Sequence, residues 1–356
     1  MLADVRTDAA WFLLLFVCAC RSRPTEHGAD TSAPAPTPQP DAPVAPLADV
    51  ARPPPNSAPL AVERAPFDPA HAAPRPGQPG FALENAAALD SRRVLAIGNG
   101  HLYRLQRDRW ILEALDGAEA RDLVTGRNYF WILARGTAAA RGRVLLLRTP
   151  NGVDLSTTAS PLIDADVEPR SLVALSDSEF LVGGAHPSLF RWSGTTVAPL
   201  APSLAPLISL RLLRDDSIIA RHDSEHVSIV RMSNVTHMTV GDYLDTVVDR
   251  NGTSYLVHTH GQFVRDRPGR EYSVATTAAP FEPRIAVALP GERLIVVGAS
   301  GPYAEWRHNA WQVLAGDFPR DPIAVLPTDP ISIVGRDGQI TAADPAGARV
   351  LVAAAR

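Results

Sequence analysis

From about residue 81 onward, short apolar segments alternate with polar turn residues along the rest of the chain. The apolar segments are rich in Val, Ile, Leu and aromatic residues, and Gly, Asp, Asn and Pro separate them. These separating residues favour turns, and the segments are too short for helices. No long segment keeps the apolar period of about 3.6 residues that an amphipathic helix needs. The pattern predicts an all-β domain of many short strands.

One strand-like segment recurs along this region. Its copies are VLAIG, WILARG, FLVGG, IIARH, YLVHT, LIVVG and ISIVG, which end near residues 98, 136, 183, 221, 258, 298 and 335. A second landmark keeps the same interval in the segment that follows, at Arg104, Arg148, Arg191, Arg231 and Arg265, with Glu305 in the sixth copy. Each unit can be divided into four short strands, which we label a to d. Internal repetition of this kind is the sequence signature of a repeat fold.

Four strands in a unit of about 40 residues, repeated seven times, resemble a β-propeller, in which small sheets are arranged radially. The resemblance implies a seven-bladed propeller over residues 81–356, with six or eight blades, or a pair of β-sandwiches, as alternatives. No Trp-Asp dipeptide, Gly-His repeat or kelch-type double glycine marks a particular propeller family. Ring closure stays open at this stage, because the last strand, ARVLVAAA, could pair with the first strand or with FALEN at 81–85.

Acidic residues precede strand b in most units, at the a–b turn. Because strand c runs antiparallel to strand b, we predict ion pairs between these acids and the periodic arginines. The expected pairs are Asp177 with Arg191, Asp215 or Asp216 with Arg231, and Asp249 with Arg265. Asp also caps turns through its own backbone, so a structural role is the expected one.

Histidines concentrate at the b–c turns, which share one face of a propeller. The candidate binding residues are His101, His186, His222, His226, His258 and His260. His258 and His260 would point the same way on an extended chain. With Asp223 or Glu225 nearby, imidazoles on one face could ligate Zn²⁺, but b–c turns of adjacent blades diverge. We therefore predict a histidine-rich binding face, with no metal and no cofactor, or else ordinary polar turns.

The N-terminus carries an apolar run, AAWFLLLFVCA at 9–19, which is too short to span a bilayer as a helix and typical of a signal-peptide core. The sequence Val17-Cys18-Ala19-Cys20 that ends it resembles the lipobox of bacterial lipoproteins. The resemblance implies a signal peptide over 1–19, lipidation of Cys20, loss of Cys18 with the signal peptide and, because Arg21 follows, the outer membrane. The segment MLADVRTD departs from the pattern, since it has two Asp and one Arg. A free or disulfide-bonded cysteine pair is the alternative.

Residues 20–80 form a different region, in which Pro dominates and apolar periodicity is lacking. Residues 21–80 hold 16 of the 33 prolines. Such a composition cannot bury a core, and it favours an extended chain that acts as a spacer. We predict a disordered tether between the lipidated Cys20 and the propeller, either as a spacer that extends the reach of the domain or as a passive linker.

The net charge and the absence of lysine exclude some classes of function. The net charge is −4, unlike the basic surface of a nucleic-acid binder, so we expect no nucleic acid partner. The chain has no lysine, which excludes Schiff-base chemistry and a lysine nucleophile.

These observations predict a lipid-anchored cell-envelope protein whose propeller binds a protein or another ligand without catalysis. The membrane, through the lipid, and an envelope protein are the expected partners. The alternative is a propeller hydrolase or lyase with charged groups in its central channel, with or without the assistance of a metal. The inner strands SLVALS, IAVALP and IAVLP argue against it, because they are apolar.

Overall fold

The structure is a computed structural model that describes residues 74–353 of the chain. Gaps in this range fall at 77, 116, 127, 137–142, 160–167, 186–188, 202–203, 214–216, 224, 232–233, 250, 268–272, 275–276 and 345–346. The expected signal peptide, Cys20, nearly all of the tether, His186, Asp215 and Asp216 lie outside the described residues. In the described ranges, no helix is long and apolar enough to cross a membrane.

The described chain is all-β, and its strands form seven antiparallel sheets of four strands each. Each sheet consists of four strands that are consecutive in sequence, so blade 1 is β1–β4 and blade 7 is β25–β28. The chain is therefore a seven-bladed β-propeller, as the repeat predicts, and not one of six or eight blades. The recurring apolar segment is strand b in every blade.

The strands take the following positions, from the centre of the ring outward. The innermost a strands are β1 (Asn85–Ala88), β5 (Ala118–Thr125), β9 (Pro169–Ala174), β13 (Ser209–Leu212), β17 (Tyr243–Val248), β21 (Pro283–Leu289) and β25 (Pro322–Leu326). The b strands are β2 (Val94–Gly98), β6 (Phe130–Gly136), β10 (Glu179–Gly184), β14 (Ile218–Arg221), β18 (Ser254–His258), β22 (Arg293–Gly298) and β26 (Ile331–Gly335). The c strands are β3 (His101–Gln106), β7 (Val144–Thr149), β11 (Leu189–Ser193), β15 (His226–Arg231), β19 (Phe263–Asp266), β23 (Tyr303–Arg307) and β27 (Ile340–Asp344). The outer d strands are β4 (Arg109–Glu113), β8 (Ser156–Ala159), β12 (Thr196–Ala201), β16 (Asn234–Thr239), β20 (Ser273–Val274), β24 (Ala310–Leu314) and β28 (Gly347–Val352).

The core lies between neighbouring blades. Strand b is apolar through its middle, with charged residues only near its ends, because a central strand of a blade packs against a neighbouring blade on each side. All five residues of β2 are buried, for example. One hydrophobic cluster fills the junction between blades 2 and 3 around Trp131, Phe180 and Trp192, and others fill further junctions around the ring. Burial on both faces explains why these segments show no alternation of polar residues.

The ring closes between blade 7 and blade 1 without a shared sheet. β28 pairs only with β27, so neither of the two pairings left open for the last strand is formed. The reason is that blade 7 takes all four of its strands from the C-terminal segment. Closure depends instead on contacts between blades, such as the backbone hydrogen bond of 2.8 Å from Leu83 N–H to the Arg336 carbonyl.

The segment ahead of β1 covers this closing junction. Phe81 packs edge-on against Tyr103 of blade 1, with ring centroids 5.4 Å apart. The Tyr103 hydroxyl donates a hydrogen bond of 2.9 Å to the Pro74 carbonyl, and Leu83 is fully buried in the cluster between blades 1 and 7. The residues immediately before the first strand therefore belong to the packed domain.

Candidate functional site

The two faces of the propeller differ in their connections. The b–c turns and the d–a connections between blades share one face, which we call the upper face. The a–b and c–d turns share the other, the lower face. The inner a strands start at the upper face, so their first residues surround the mouth of the central channel.

Polar side chains on the inner strands connect successive blades. Asn85 of blade 1 donates from its Nδ2 to Oδ1 of Asp122 (2.8 Å) and to the Leu123 carbonyl (3.1 Å) in blade 2. Oδ2 of Asp122 in turn accepts a hydrogen bond of 2.7 Å from the backbone N–H of Leu172 in blade 3. One carboxylate thus connects three blades.

The same arrangement continues through blades 3, 4 and 5. The Ser171 hydroxyl of blade 3 accepts a hydrogen bond of 3.0 Å from the backbone N–H of Leu210 in blade 4. Arg211 of blade 4 then pairs with Asp245 of blade 5 at 2.8 Å. We call Asn85, Asp122, Ser171, Arg211 and Asp245 the inner belt. It joins four successive blade junctions by side-chain hydrogen bonds.

The inner belt corrects the expectation that the inner strands are apolar. That expectation rests on SLVALS, IAVALP and IAVLP, which fall in β9, β21 and β25, where Ile285 and Ala324 pack toward the next blade. It does not extend to β5, β13 and β17, which carry Asp122, Arg211 and Asp245. A β-bulge near the start of β5 and of β17 also breaks the alternation from which the orientation of a side chain is read.

Asp122 has an unusual electrostatic environment. Burial raises the pKa of its carboxyl above the ordinary value, although the N–H groups of Leu172 and Leu123 and the positive charge of Arg211 act in the opposite direction. Desolvation therefore outweighs the hydrogen bonds.

Around the channel mouth, exposed arginines project from bulges. The extra residue of the bulge is Arg121 in β5, Arg170 in β9 and Arg284 in β21. Each has a carboxylate neighbour on the upper face, at 2.6 Å for Arg121–Glu119, 3.8 Å for Arg170–Glu168 and 2.9 Å for Arg284–Asp321. Such exposed pairs contribute only about 0 to 1 kcal/mol each, so a ligand can displace them at little cost.

Two of the predicted histidines lie at the b–c turn of blade 4. His226 contacts both carboxylate oxygens of Asp223 at 2.9 Å and is exposed. His222 is half-buried, with Nδ1 at 2.8 Å from the Pro206 carbonyl and Nε2 at 2.7 Å from the Ser228 hydroxyl. The same hydroxyl lies 2.8 Å from Nδ1 of His237. A buried serine thus bridges two imidazoles.

The Pro206 carbonyl fixes the directions of the hydrogen bonds that connect it with His222, Ser228 and His237. A carbonyl oxygen can only accept, so His222 Nδ1 donates to Pro206. In neutral His222 the Nε2 atom is then an acceptor, and the Ser228 hydroxyl donates to it. His237 Nδ1–H therefore donates to the Ser228 oxygen. The arrangement orders this turn, and the Ser228 side chain is inaccessible to a substrate because the residue is fully buried.

The remaining predicted histidines have separate surroundings. His258 is half-buried near the Gly241 carbonyl, 3.3 Å from Nδ1, and burial lowers its pKa. His260 is exposed, with Nε2 at 3.3 Å from Asp242 and Nδ1 at 3.9 Å from Glu282. Burial also lowers the pKa of His101, which begins β3. His186 lies outside the described residues.

The histidines thus form small local sets on the upper face. In the part of the chain that the structure describes, no group of three or more His, Cys, Asp or Glu side chains could hold a metal ion. Sequence reasoning missed His237, because it lies on outer strand β16 and not in a turn. Its position opposite Ser228 follows from the strand register, so no signal in the sequence marked it.

The periodic arginines have varied partners. Arg191 pairs with Glu179 at 2.5 Å, and its predicted pairing with Asp177 stays a prediction. The predicted pair of Asp249 with Arg265 is wrong. Asp249 Oδ1 caps its own turn by accepting the N–H groups of Asn251 and Thr253, and Arg265 contacts Glu292 of the next blade at 3.3 Å. The pairs predicted for Asp215 and Asp216 lie outside the described residues.

Solved structures with the same fold include several propellers. YCF48 bound to the D1 peptide has a TM-score of 0.53 and 14% identity, over 72% of this chain and 90% of that one. YCF48 from Cyanidioschyzon merolae has a TM-score of 0.52 and 10% identity, over 75% and 96%. PorZ, a surface component of the type-IX secretion system of Porphyromonas gingivalis, has a TM-score of 0.54 and 11% identity, over 76% of this chain and 38% of PorZ.

These likenesses define the class of protein, a β-propeller, and at such identities they show the fold alone. The chain matches no protein-family model and no curated protein sequence.

Proposed function

We propose that this protein is a lipid-anchored binding protein of the cell envelope. The lipid would be attached at Cys20, the Pro-rich tether would hold the propeller away from the outer membrane, and the upper face would bind an envelope protein. The histidines His101, His186, His222, His226, His258 and His260 would contribute to that face, without a metal.

The observation that supports a binding role is that the charged groups fall into two sets, one that joins blades and one that is exposed. Asp122, Arg211 and Asp245 on the inner strands are engaged in bonds that hold blades together. The charged groups around them, such as Arg121 and Arg284, are exposed and form pairs that a partner can replace. A surface with exchangeable charges around a rigid channel suits recognition of another chain.

Two solved propellers support this choice by analogy of fold. YCF48 is described with a bound D1 peptide, and PorZ is described as a bacterial surface component. A seven-bladed domain offers the same kind of rigid face for a peptide segment, although fold alone assigns no function. The enzyme alternative is weaker, because the inner charged groups are held by neighbouring blades and a catalytic group has to reach a substrate.

Lipidation at Cys20 can be tested with a matched pair of variants. Cys20→Ala should release the full chain from the membrane fraction and abolish incorporation of labelled fatty acid. Cys18→Ala should change neither, since Cys18 would leave with the signal peptide. Equal behaviour of the two variants would contradict lipidation at Cys20.

The binding claim is tested by co-purification after crosslinking in the native bacterium. We expect one envelope protein to be enriched with the full chain and lost on the double change Arg121→Glu and Arg284→Glu. Arg109→Glu, an exposed arginine beside the lower face, is the control and should keep the partner. A partner equally retained by both variants, or none at all, would contradict binding through the upper face.

A further inference from the structure

Buried polar atoms without a partner concentrate at one junction of the ring. Among the described residues, five buried side-chain nitrogen or oxygen atoms make no hydrogen bond within the protein. Trp131 Nε1 is one of them. The other four are Oδ2 of Asp249, the hydroxyl of Tyr255, Nε of Arg267 and Nε1 of Trp306, which all belong to blades 5 and 6. Arg267 Nε still has an ion-pair partner, Glu292, at 3.4 Å, but the other three atoms have none. An unpaired buried polar group costs about 1 to 3 kcal/mol, so three at one place call for an explanation.

Strand register places the blade 5 members of this set together. Tyr255 on β18 lies opposite Val247 on β17 and opposite Arg265 on β19. Asp249 lies two residues after Val247, and Arg267 lies two residues after Arg265. Both are nearer to the lower face than Tyr255, and they fall on the same side of the sheet as Tyr255. Tyr255 belongs to the hydrophobic cluster between blades 5 and 6, which also contains Trp306 of the facing blade. All four atoms therefore border the same junction.

Electrostatics confirms that these groups are close to one another. Burial raises the pKa of the Tyr255 hydroxyl, and the charges of Asp249, Arg265, Glu292 and Arg267 all act on that pKa. Tyr255 is fully buried and Asp249 is 5% exposed. Glu292, in the a–b turn of blade 6, lies 3.3 Å from Arg265 and 3.4 Å from Arg267. The two guanidinium groups and the two carboxylates balance in charge.

The donors and acceptors select the chemistry of a ligand. Tyr255 has a hydrogen to donate, and Asp249 Oδ2 has lone pairs to accept one, whereas Arg267 Nε already lies 3.4 Å from Glu292 in an ion pair. A hydroxyl group can accept a hydrogen bond from Tyr255 and donate one to Asp249. A second hydroxyl could accept from Trp306 Nε1. Because the carboxylates of Asp249 and Glu292 offset the guanidinium groups of Arg265 and Arg267, the site has no excess charge that would favour an anion or a cation over a neutral group.

We infer that the junction between blades 5 and 6 is a binding site for neutral hydroxyl groups, supplied by ordered water molecules or by a small polyol. The site lies toward the lower face, and it is independent of partner binding on the upper face. Occupation of the site would connect Asp249 Oδ2, the Tyr255 hydroxyl and Trp306 Nε1 in a polar network inside the ring.

The sign of one stability change tests this inference. If a hydroxyl group occupies the site, Tyr255→Phe removes a formed hydrogen bond, so the folding equilibrium constant of the full chain should fall about fivefold. Tyr243→Phe is the matched control, because the Tyr243 hydroxyl is buried and donates a bond of 2.9 Å to Thr246. If the site holds nothing, Tyr255→Phe removes an unpaired group and raises stability while Tyr243→Phe lowers it. That result would overturn the inference.

Crystals of the full chain show whether the hydroxyl groups come from water or from a polyol. They are grown without polyols and examined in two states, before and after soaking in glycerol. Density within about 3.2 Å of Asp249 Oδ2 and the Tyr255 hydroxyl is expected in both states. Water in both states identifies solvent as the ligand, and glycerol after soaking identifies a polyol site. No density near these atoms in either state would overturn the inference.

Discussion

The indole Nε1 of Trp110 donates a hydrogen bond of 2.8 Å to the carbonyl oxygen of Gly338, joining outer strand β4 of blade 1 to a turn of blade 7. The two residues are separated by nearly the whole domain in sequence. Gly338 has a φ of 83°, and a Cβ at this position would come within 3.0 Å of the Trp110 ring. The close approach therefore requires glycine. This contact is part of the closure that replaces a shared closing sheet.

Loss of the Trp110 contact should weaken closure of the ring. Trp110→Phe removes the hydrogen bond and part of a buried ring, so we expect the free energy of unfolding to fall by about 1 to 3 kcal/mol. Urea unfolding followed by circular dichroism measures it. Val313→Ala, at an exposed position of β24, should change the value by less than about 0.5 kcal/mol. Equal effects of the two substitutions would contradict the closing role of Trp110.

Asp122 should make stability depend on pH in a defined direction. Burial raises the pKa of its carboxyl in the folded protein above the ordinary value of 3.8. Its contribution to stability is therefore complete below that value and is lost as the pH rises through the folded pKa. The Asp122→Asn variant has no carboxyl to titrate at this position. We therefore subtract its free energy of unfolding from that of the native protein, and we expect this difference to be larger near pH 4 than near pH 7. Urea unfolding at both pH values tests this, and a larger difference near pH 7 would show the opposite pKa shift.

The pair of Arg211 and Asp245 should couple blades 4 and 5. A double-mutant cycle with Arg211→Ala and Asp245→Ala isolates their interaction, which we expect to be about 0.5 to 1 kcal/mol, because the Asp245 side chain is only 18% exposed. The exposed pair of Arg93 and Asp90 is the comparison, with a coupling near zero expected. If the two coupling energies were equal, the inner belt would add no more than a surface pair does.

His222 should be held in one tautomer. Because Nδ1 must donate to the Pro206 carbonyl, neutral His222 should carry its proton on Nδ1. Long-range ¹H–¹⁵N correlation spectra of the labelled chain distinguish the two forms. Ser228→Ala should leave this tautomer unchanged, since the bond to Pro206 remains. A proton found only on Nε2 would show that the hydrogen bond from Nδ1 to the Pro206 carbonyl is not formed.

Blade number and strand positions could be predicted from the sequence because strand b is buried on both faces. The apolar segment VLAIG is β2, and LIVVG makes up all of β22 except its first residue, Arg293. A repeated unit must also satisfy the same packing in each copy, which keeps its period visible.

The inner belt and the ring closure could not be predicted in the same way. The bulge at Arg121 shifts Asp122 out of the simple alternation, so its orientation toward blade 3 is not visible in the sequence. Closure of the ring uses the carbonyl oxygen of Gly338. Because every residue has a backbone carbonyl, the sequence does not mark this one as a hydrogen-bond acceptor. His237 becomes part of a chain only when strand register places it opposite Ser228. These features arise from long-range contacts and not from local pattern.

Site-specific photo-crosslinking of the full chain in its native host tests the central claim most directly. A photoreactive amino acid is placed at Arg121, exposed on the upper face, or at Asp108, exposed in a c–d turn on the lower face. We predict that an envelope protein crosslinks to the full chain from position 121 and not from position 108. Crosslinking from position 108 alone, or equally from both positions, would contradict an upper face that recognises a protein partner.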